Sequence, residues 1–268
     1  DGDVEGALAA AAVTVDETYT TPMEHNNPME PHATIACWRG DANGGTVTLH
    51  DSTQGATDVR DGVATLLGLN PAQVRVISPY VGGGFGSKAF LHPNVALAVL
   101  AARVSGGRPV KLALTRQQMF CMVGYRTPTI QRVRLGAGAD GRLTAISHEV
   151  VEQTSRLKEF AEQTAVATRM MYAAPNRRTS HRLATLDVPP PTIMRAPGEC
   201  PGMFALEVAM DELAVACGLD PIELRIRNEP EHDPESGLPW SSRGLVACLR
   251  EGARRFGWES RDPTPGVR

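Results

Sequence analysis

At 268 residues the chain is long enough for one large domain or two ordinary ones with a substantial core. A formal net charge of −3 excludes a global electrostatic pull toward nucleic acid or membrane, and no apolar run reaches membrane-spanning length. Cys37, Cys121, Cys200, Cys217 and Cys248 form no C-x-x-C pair, which excludes zinc-ribbon, iron–sulfur and disulfide-scaffold frameworks.

The chain opens on Asp1-Gly2-Asp3, with neither an initiator methionine nor a signal-peptide pattern, the start expected of a processed chain, a trimmed chain or a fragment. Residues 4–12 are alanine-rich and predict a short helix, and 13–19 alternate as a strand does. Residues 34–38 and 46–50 predict a hairpin across Asp41-Ala42-Asn43-Gly44. Val59, Val63, Leu66 and Leu67 at helical spacing predict a helix over 58–67, stopped by Gly68. A short buried strand over 74–77 precedes the glycine loop, which the pattern opens onto an apolar helix over 94–104; a strand follows over 110–114.

Residues 129–135 and 143–151 predict strands joined through Ala139-Asp140-Gly141. A helix is expected over 159–172, an extended stretch over 185–188, and helices over 203–217, 221–227 and 245–256. Abundant glycine and proline with few aromatics favour a loop-rich α/β or α+β chain over a helical bundle. Two units are expected, 1–126 with the glycine loop and 127–268, the second incomplete at its C-terminus.

The densest motif is Val81-Gly82-Gly83-Gly84-Phe85-Gly86-Ser87-Lys88. Glycine lets a backbone approach a ligand and present N–H groups without a Cβ in the way, and a loop opening onto a helix N-terminus suits an anion. Residues 62–139 contain no Asp or Glu but carry Lys88, Arg116, Arg126, Arg132, Arg134 and other bases, which fits an anionic ligand or, equally, a solvated surface. No Walker frame fits, because Ser87 separates Gly86 from Lys88. The loose G-x-G-x-x-A form over 84–89 leaves a nicotinamide or flavin site open, though the acidic ribose ligand is missing.

Three further segments carry two readings each. Gln54, in Asp51-Ser52-Thr53-Gln54-Gly55, caps a helix or points its amide into a pocket. Arg195-Ala196-Pro197-Gly198-Glu199 is a rigid site wall or a plain crossover. Glu30 and His32, two apart on an extended segment, are a metal pair or a hydrogen-bonded structural pair. No G-x-S-x-G elbow or H-E-x-x-H motif supports a hydrolase.

Taken in order, these segments, with Asn94-Val95-Ala96-Leu97-Ala98, resemble the molybdopterin-binding large subunit of the xanthine dehydrogenase and aldehyde oxidoreductase family. The resemblance covers essentially the whole chain and is strongest to the bacterial three-subunit aldehyde dehydrogenase branch, in which the Ser87 form of the loop is typical. It implies an α+β fold of two α/β two-layer units. Gln54 matches the glutamine beside the apical oxo ligand of molybdenum. Gly83, Gly84, Phe85, Gly86 and Ser87 match the loop on the pterin, and Arg195 and Ala196 the segment approaching from the other side. No side chain is expected to ligate the metal.

The implied cofactor is molybdopterin cytosine dinucleotide, with 2Fe-2S clusters and FAD on partner subunits. The implied reaction oxidises aldehydes to carboxylic acids with water-derived oxygen. Ala89 replaces the glutamate that grips purines in relatives, which points to aldehydes. The family's base glutamate, in a Gly-x-Gly-Glu sequence, has no counterpart here, and Glu199 sits elsewhere in the order. The chain is therefore expected to lack the large subunit's N-terminal domain and C-terminal part and to be inactive alone. Its expected partners are the remaining large subunit, an iron–sulfur subunit, an FAD subunit and a small aldehyde, without nucleic acid or membrane insertion. The expected compartment is the cytoplasm, or the periplasm by export with a partner. The alternatives are a non-catalytic module completing a cofactor site and a nicotinamide- or flavin-dependent dehydrogenase.

Overall fold

The computed structural model describes residues 1–41, 44–262 and 264. Helix α1 (Val4–Ala10) is capped by Asp3, whose carboxylate accepts the Gly6 N–H at 2.9 Å, and leads into strand β1 (Val13–Thr21). The chain then builds a sheet from β2 (Ala33–Gly40), β3 (Gly45–Asp51), β4 (Val74–Ile77) and β5 (Val110–Ala113), in the order β4-β3-β2-β5. The expected β2–β3 hairpin forms, with Trp38 opposite Val47; Ala42 and Asn43 of its turn lie outside the described residues.

Two helices, α2 (Ala56–Leu67) and α3 (Pro93–Val104), cover this sheet. Ala36, Trp38, Val47 and Leu49 from the strands meet Val59 and Val63 of α2 and Val95, Ala98 and Val99 of α3. Gly68 ends α2 in the left-handed conformation, as its position predicts. A short helix, α4 (Arg116–Met122), lies outside the expected elements. Its signal is nonetheless in the sequence: Thr115 and Gln118 form a capping box around its first turn.

The second sheet holds β6 (Thr129–Ala137), β7 (Leu143–Ser155) and β8 (Asn176–Leu186), in the order β1-β6-β7-β8. Sheet membership therefore does not divide at residue 126. β1 runs antiparallel to β6, with Val13 opposite Ala137 and Thr21 opposite Thr129. Helix α5 (Glu199–Cys217) lies on this sheet and buries Leu206, Met210 and Leu213 against Val133, Leu135 and Ile146. Each such side chain contributes roughly 1.5–3 kcal/mol of hydrophobic stabilisation. Helices α6 (Pro221–Arg227) and α7 (Leu245–Phe256) follow, with Asp220 capping α6 through the N–H groups of Ile222 and Glu223.

The α+β class with two sheets agrees with expectation. The helix expected over 159–172 is absent. That stretch is irregular, with a single 3-10 turn at Ala167–Arg169. Glu162 and Thr164 are buried there and bond to Glu152 of β7, through the Glu162 N–H at 3.1 Å and the Thr164 hydroxyl. These tertiary bonds override a helical spacing of apolar residues. β8 begins earlier than its expected extended stretch. It is a polar edge strand without the alternation that marks a half-buried one.

Candidate functional site

Gln54 follows β3 and is clasped by the glycine loop. Its N–H donates to Lys88 O at 2.8 Å, while its Oε1 accepts the N–H groups of Gly86 at 3.1 Å and Lys88 at 3.3 Å. Both partners of the side chain are donors, so the amide oxygen faces them and the Nε2 group faces away. Gln54 is exposed, and its Nε2 has no acceptor among the described residues. The fit depends on missing side chains. A Cβ at Gly84 would lie 2.2 Å from Gln54 Oε1, and one at Gly86, whose φ is +101°, would lie 2.5 Å from Ile193 O.

Between these glycines Phe85 adopts φ +53°, in the left-handed region, and the residue remains 44% exposed. Its carbonyl accepts the Arg195 N–H at 2.9 Å and Asn26 Nδ2 at 2.7 Å. Asn26 Nδ2 also donates to Ile193 O at 3.2 Å, so one amide ties the loop to the 193–198 segment. The Arg195 guanidinium carbon stands 5.8 Å from the centre of the Phe85 ring. Gln54, Phe85, Arg195 and Ala196 are all exposed on this junction. The structure thus brings together three segments that are far apart in sequence. Gly83 has φ +91° in the same loop; Ala89 is half-buried, its N–H donating to Gly86 O at 3.1 Å.

Lys88 and Ser87 do not face outward. Ser87 is buried and its hydroxyl donates to Gly84 O at 2.8 Å. Lys88 is buried too, and its Nζ donates to Glu30 Oε2 at 2.6 Å and Ser52 Oγ at 3.0 Å. Against the upward push of burial, bonds from Lys88, Ser52 and the Gly82 N–H hold the Glu30 carboxyl down at about 2. His32 Nε2 donates to Ser87 O at 3.1 Å, and burial pushes this histidine down to about 4. Glu30 and His32 are therefore structural supports of the loop.

Four arginines of the acid-free segment are engaged elsewhere in the fold. Arg126 pairs with Glu162, Arg132 with Asp16 and Arg134 with Glu5, each acid coming from outside the segment. Arg116 is spent on Asn27 and the carbonyls of Pro28 and Met29. The loop does not open directly onto a helix, since residues 87–92 intervene before α3. A dinucleotide phosphate on a helix N-terminus, the basis of the nicotinamide alternative, has no counterpart here.

The 194–198 segment rests on two residues that sequence reading did not single out as a site. Arg126 Nη2 donates to Met194 O, Arg195 O and Ala196 O, and its Nε donates to Glu162 Oε1 at 2.9 Å. Glu162 Oε1 also accepts the Gly198 N–H at 3.0 Å. Burial pushes the Glu162 carboxyl up, and the Gly198 N–H and the Arg126 cation oppose it. Glu199 is exposed in the first turn of α5.

Residues 1–229 match the family model described as the molybdopterin cofactor-binding domain. The chain belongs to this family. It is similar, at 46% identity, to the aldehyde oxidoreductase molybdenum-binding subunit PaoC of Escherichia coli (strain K12), over 99% of this chain and 36% of that protein. It is 32% identical to the putative xanthine dehydrogenase molybdenum-binding subunit XdhA of the same organism, over 97% of this chain and 35% of that one. Among solved structures, the aldehyde oxidoreductase of Desulfovibrio gigas superposes with a TM-score of 0.84 at 27% identity, over 98% of this chain and 30% of that one. Quinoline 2-oxidoreductase from Pseudomonas putida 86 shares the fold, with a TM-score of 0.87 at 23% identity, over 96% of this chain and 34% of that one. This member of the molybdopterin-binding family spans about a third of the length of the relatives it matches.

Proposed function

We propose that this chain builds one side of the molybdopterin site of an aldehyde-oxidising molybdenum hydroxylase, which converts aldehydes to carboxylic acids with oxygen from water. The observation that carries the reading is the fixed amide of Gln54. Its oxygen is taken by Gly86 and Lys88, so its Nε2 is presented outward. The N–H groups of Phe85 and Ala196 have no acceptor among the described residues either. Unpaired donors beside a backbone stripped of side chains at Gly84 and Gly86 suit a bulky group rich in oxo and sulfur acceptors. The residues present therefore fit the cofactor.

In this reading Gly83, Gly84, Phe85, Gly86 and Ser87 lay their backbone against the pterin, Ser87 without its buried hydroxyl. Gln54 would donate to an acceptor of the bound metal group, and Arg195 and Ala196 would hold the cofactor from the 193–198 segment. When bound, the cofactor supplies two-electron redox chemistry; the chain supplies position and hydrogen bonds. The proposed form is the cytosine dinucleotide.

Ala89 supports aldehydes over purines, as does the higher identity to an aldehyde oxidoreductase subunit than to a xanthine dehydrogenase one. The proposed partners are the rest of the large subunit, an iron–sulfur subunit and an FAD subunit. Because the chain spans a third of its relatives, we assign the proton-abstracting carboxylate to another part of the enzyme and infer no turnover by the isolated chain. The proposed compartment is the cytoplasm, or the periplasm by export with a partner.

The test is to purify the assembled enzyme, measure molybdenum and pterin, and compare an aldehyde with xanthine using a dye acceptor. Gln54→Ala should keep the metal and lower kcat by roughly 10- to 100-fold. Wild-type enzyme without molybdenum and pterin would end the reading.

A further inference from the structure

Arg126 and Glu162 are 3% and 1% exposed, and neither reaches the surface on which the cofactor is proposed to lie. Their bonds nonetheless decide which way that surface faces. Arg126 Nη2 holds the successive carbonyls of Met194, Arg195 and Ala196 at 3.0, 2.9 and 3.0 Å. Glu162 Oε1 holds the other end of the turn through Gly198 N–H.

In a trans peptide the C=O of one residue and the N–H of the next point in opposite directions. Drawing Met194 C=O inward therefore turns Arg195 N–H outward, and that N–H donates to Phe85 O. Drawing Arg195 C=O inward turns Ala196 N–H outward, where it has no acceptor among the described residues. The turn also places Ala196 at φ +60° and Gly198 at φ +83°. A non-glycine residue persists in that region only where its surroundings over-determine it.

We propose that Arg126 and Glu162 are a positioning pair for this site, aiming the Ala196 N–H and seating the Phe85 carbonyl; this rests on the molybdopterin reading of the same surface. An arginine is required because its planar fork reaches three carbonyls and a carboxylate at once, whereas a lysine is a single point charge. Glutamine at 162 keeps an oxygen for the Gly198 N–H but drops the nearer of the guanidinium's two counter-charges, the other being Glu24 at 3.7 Å.

The test uses the full large subunit assembled with its partners, as wild type, Arg126→Lys and Glu162→Gln. Molybdenum and pterin content, the Mo(V) electron paramagnetic resonance signal, KM and kcat are measured on each. Arg126→Lys should carry the cofactor, shift the Mo(V) signal and lose on the order of tenfold or more in kcat at nearly constant KM. Glu162→Gln should shift the signal in the same sense with a smaller loss, and it decides the matter alone if Arg126→Lys does not fold. Wild-type signals and rates in the folded variants overturn the proposal, as does failure of both to fold, which would assign the pair to stability. Wild-type enzyme without molybdenum or pterin instead ends the reading of the site itself.

Discussion

The two walls of the site are each backed by a buried cation and a carboxylate, but the pairs differ in what they hold. Under the glycine loop Lys88 meets Glu30, whose side chain is 40% exposed, and the pair is tied to Ser52 and the Gly82 N–H. Under the second wall Arg126 meets Glu162, both buried, and they grip the backbone of 194–198 directly. The first wall takes its shape from its own glycines and needs its ion pair only as a footing. The second wall has one glycine in the turn and takes its shape from charges brought in from elsewhere in the chain.

The comparison breaks most visibly at Glu162. Glu162→Ala leaves the buried guanidinium only the half-exposed Glu24 carboxylate at 3.7 Å, and the expected loss is about 3–4 kcal/mol in urea unfolding of the protein. Gly86→Ala tests the first wall. Its φ of +101° and the Ile193 carbonyl in the way should lower stability by about 2–3 kcal/mol and abolish cofactor loading, read as molybdenum content.

Acid should act in opposite directions on one group under each wall. His32, under the loop, has its folded pKa held down at about 4 by burial, so its contribution is present at neutral pH and is lost as pH falls below about 6.5. Glu152 accepts the Glu162 N–H beneath the second wall, and burial raises its pKa to about 7. The cost of ionising it is present above pH 7 and relieved as pH falls. Between pH 7 and pH 5 each effect amounts to about 2 kcal/mol. Amide exchange, corrected for intrinsic rates, should therefore quicken in the glycine loop. Around Thr164, burial of His181 makes acid costly and opposes the relief at Glu152. Exchange there should quicken more in Glu152→Gln than in wild type, and equal changes in the two would remove the distinction. Lys88→Met should have the smallest effect, about 1 kcal/mol or less, because half-exposed Glu30 keeps its other bonds and falls back on water. A loss equal to that of Glu162→Ala would show the walls to be built alike.

The same difference explains what could be read in the sequence. The glycine loop, Gln54 and the Arg195 segment are local backbone devices whose residues stand together, so their order along the chain was recognisable. Asn26, Arg126 and Glu162 act across long separations, and nothing beside them marks the partner. Arg126 looked like one more base in an acid-free run because its acid lies outside that run. Glu162 was hidden in a stretch whose apolar spacing resembles a helix but whose side chains bond to β7. Most elements were legible from periodicity and caps. α4 is announced only by the capping pair Thr115 and Gln118, whereas β8, a polar edge strand, carries no alternation at all.

The pairing of β1 with β6 sets an order in time. On the ribosome β1 emerges before the first sheet, yet β6, its neighbour among the described strands, follows that sheet. β1 cannot reach this partner until α2, α3 and the glycine loop have been made. The loop can be finished well before residues 193–198 exist to face it. The junction between the two segments is thus completed late, when residues 193–198 close on a loop already prepared.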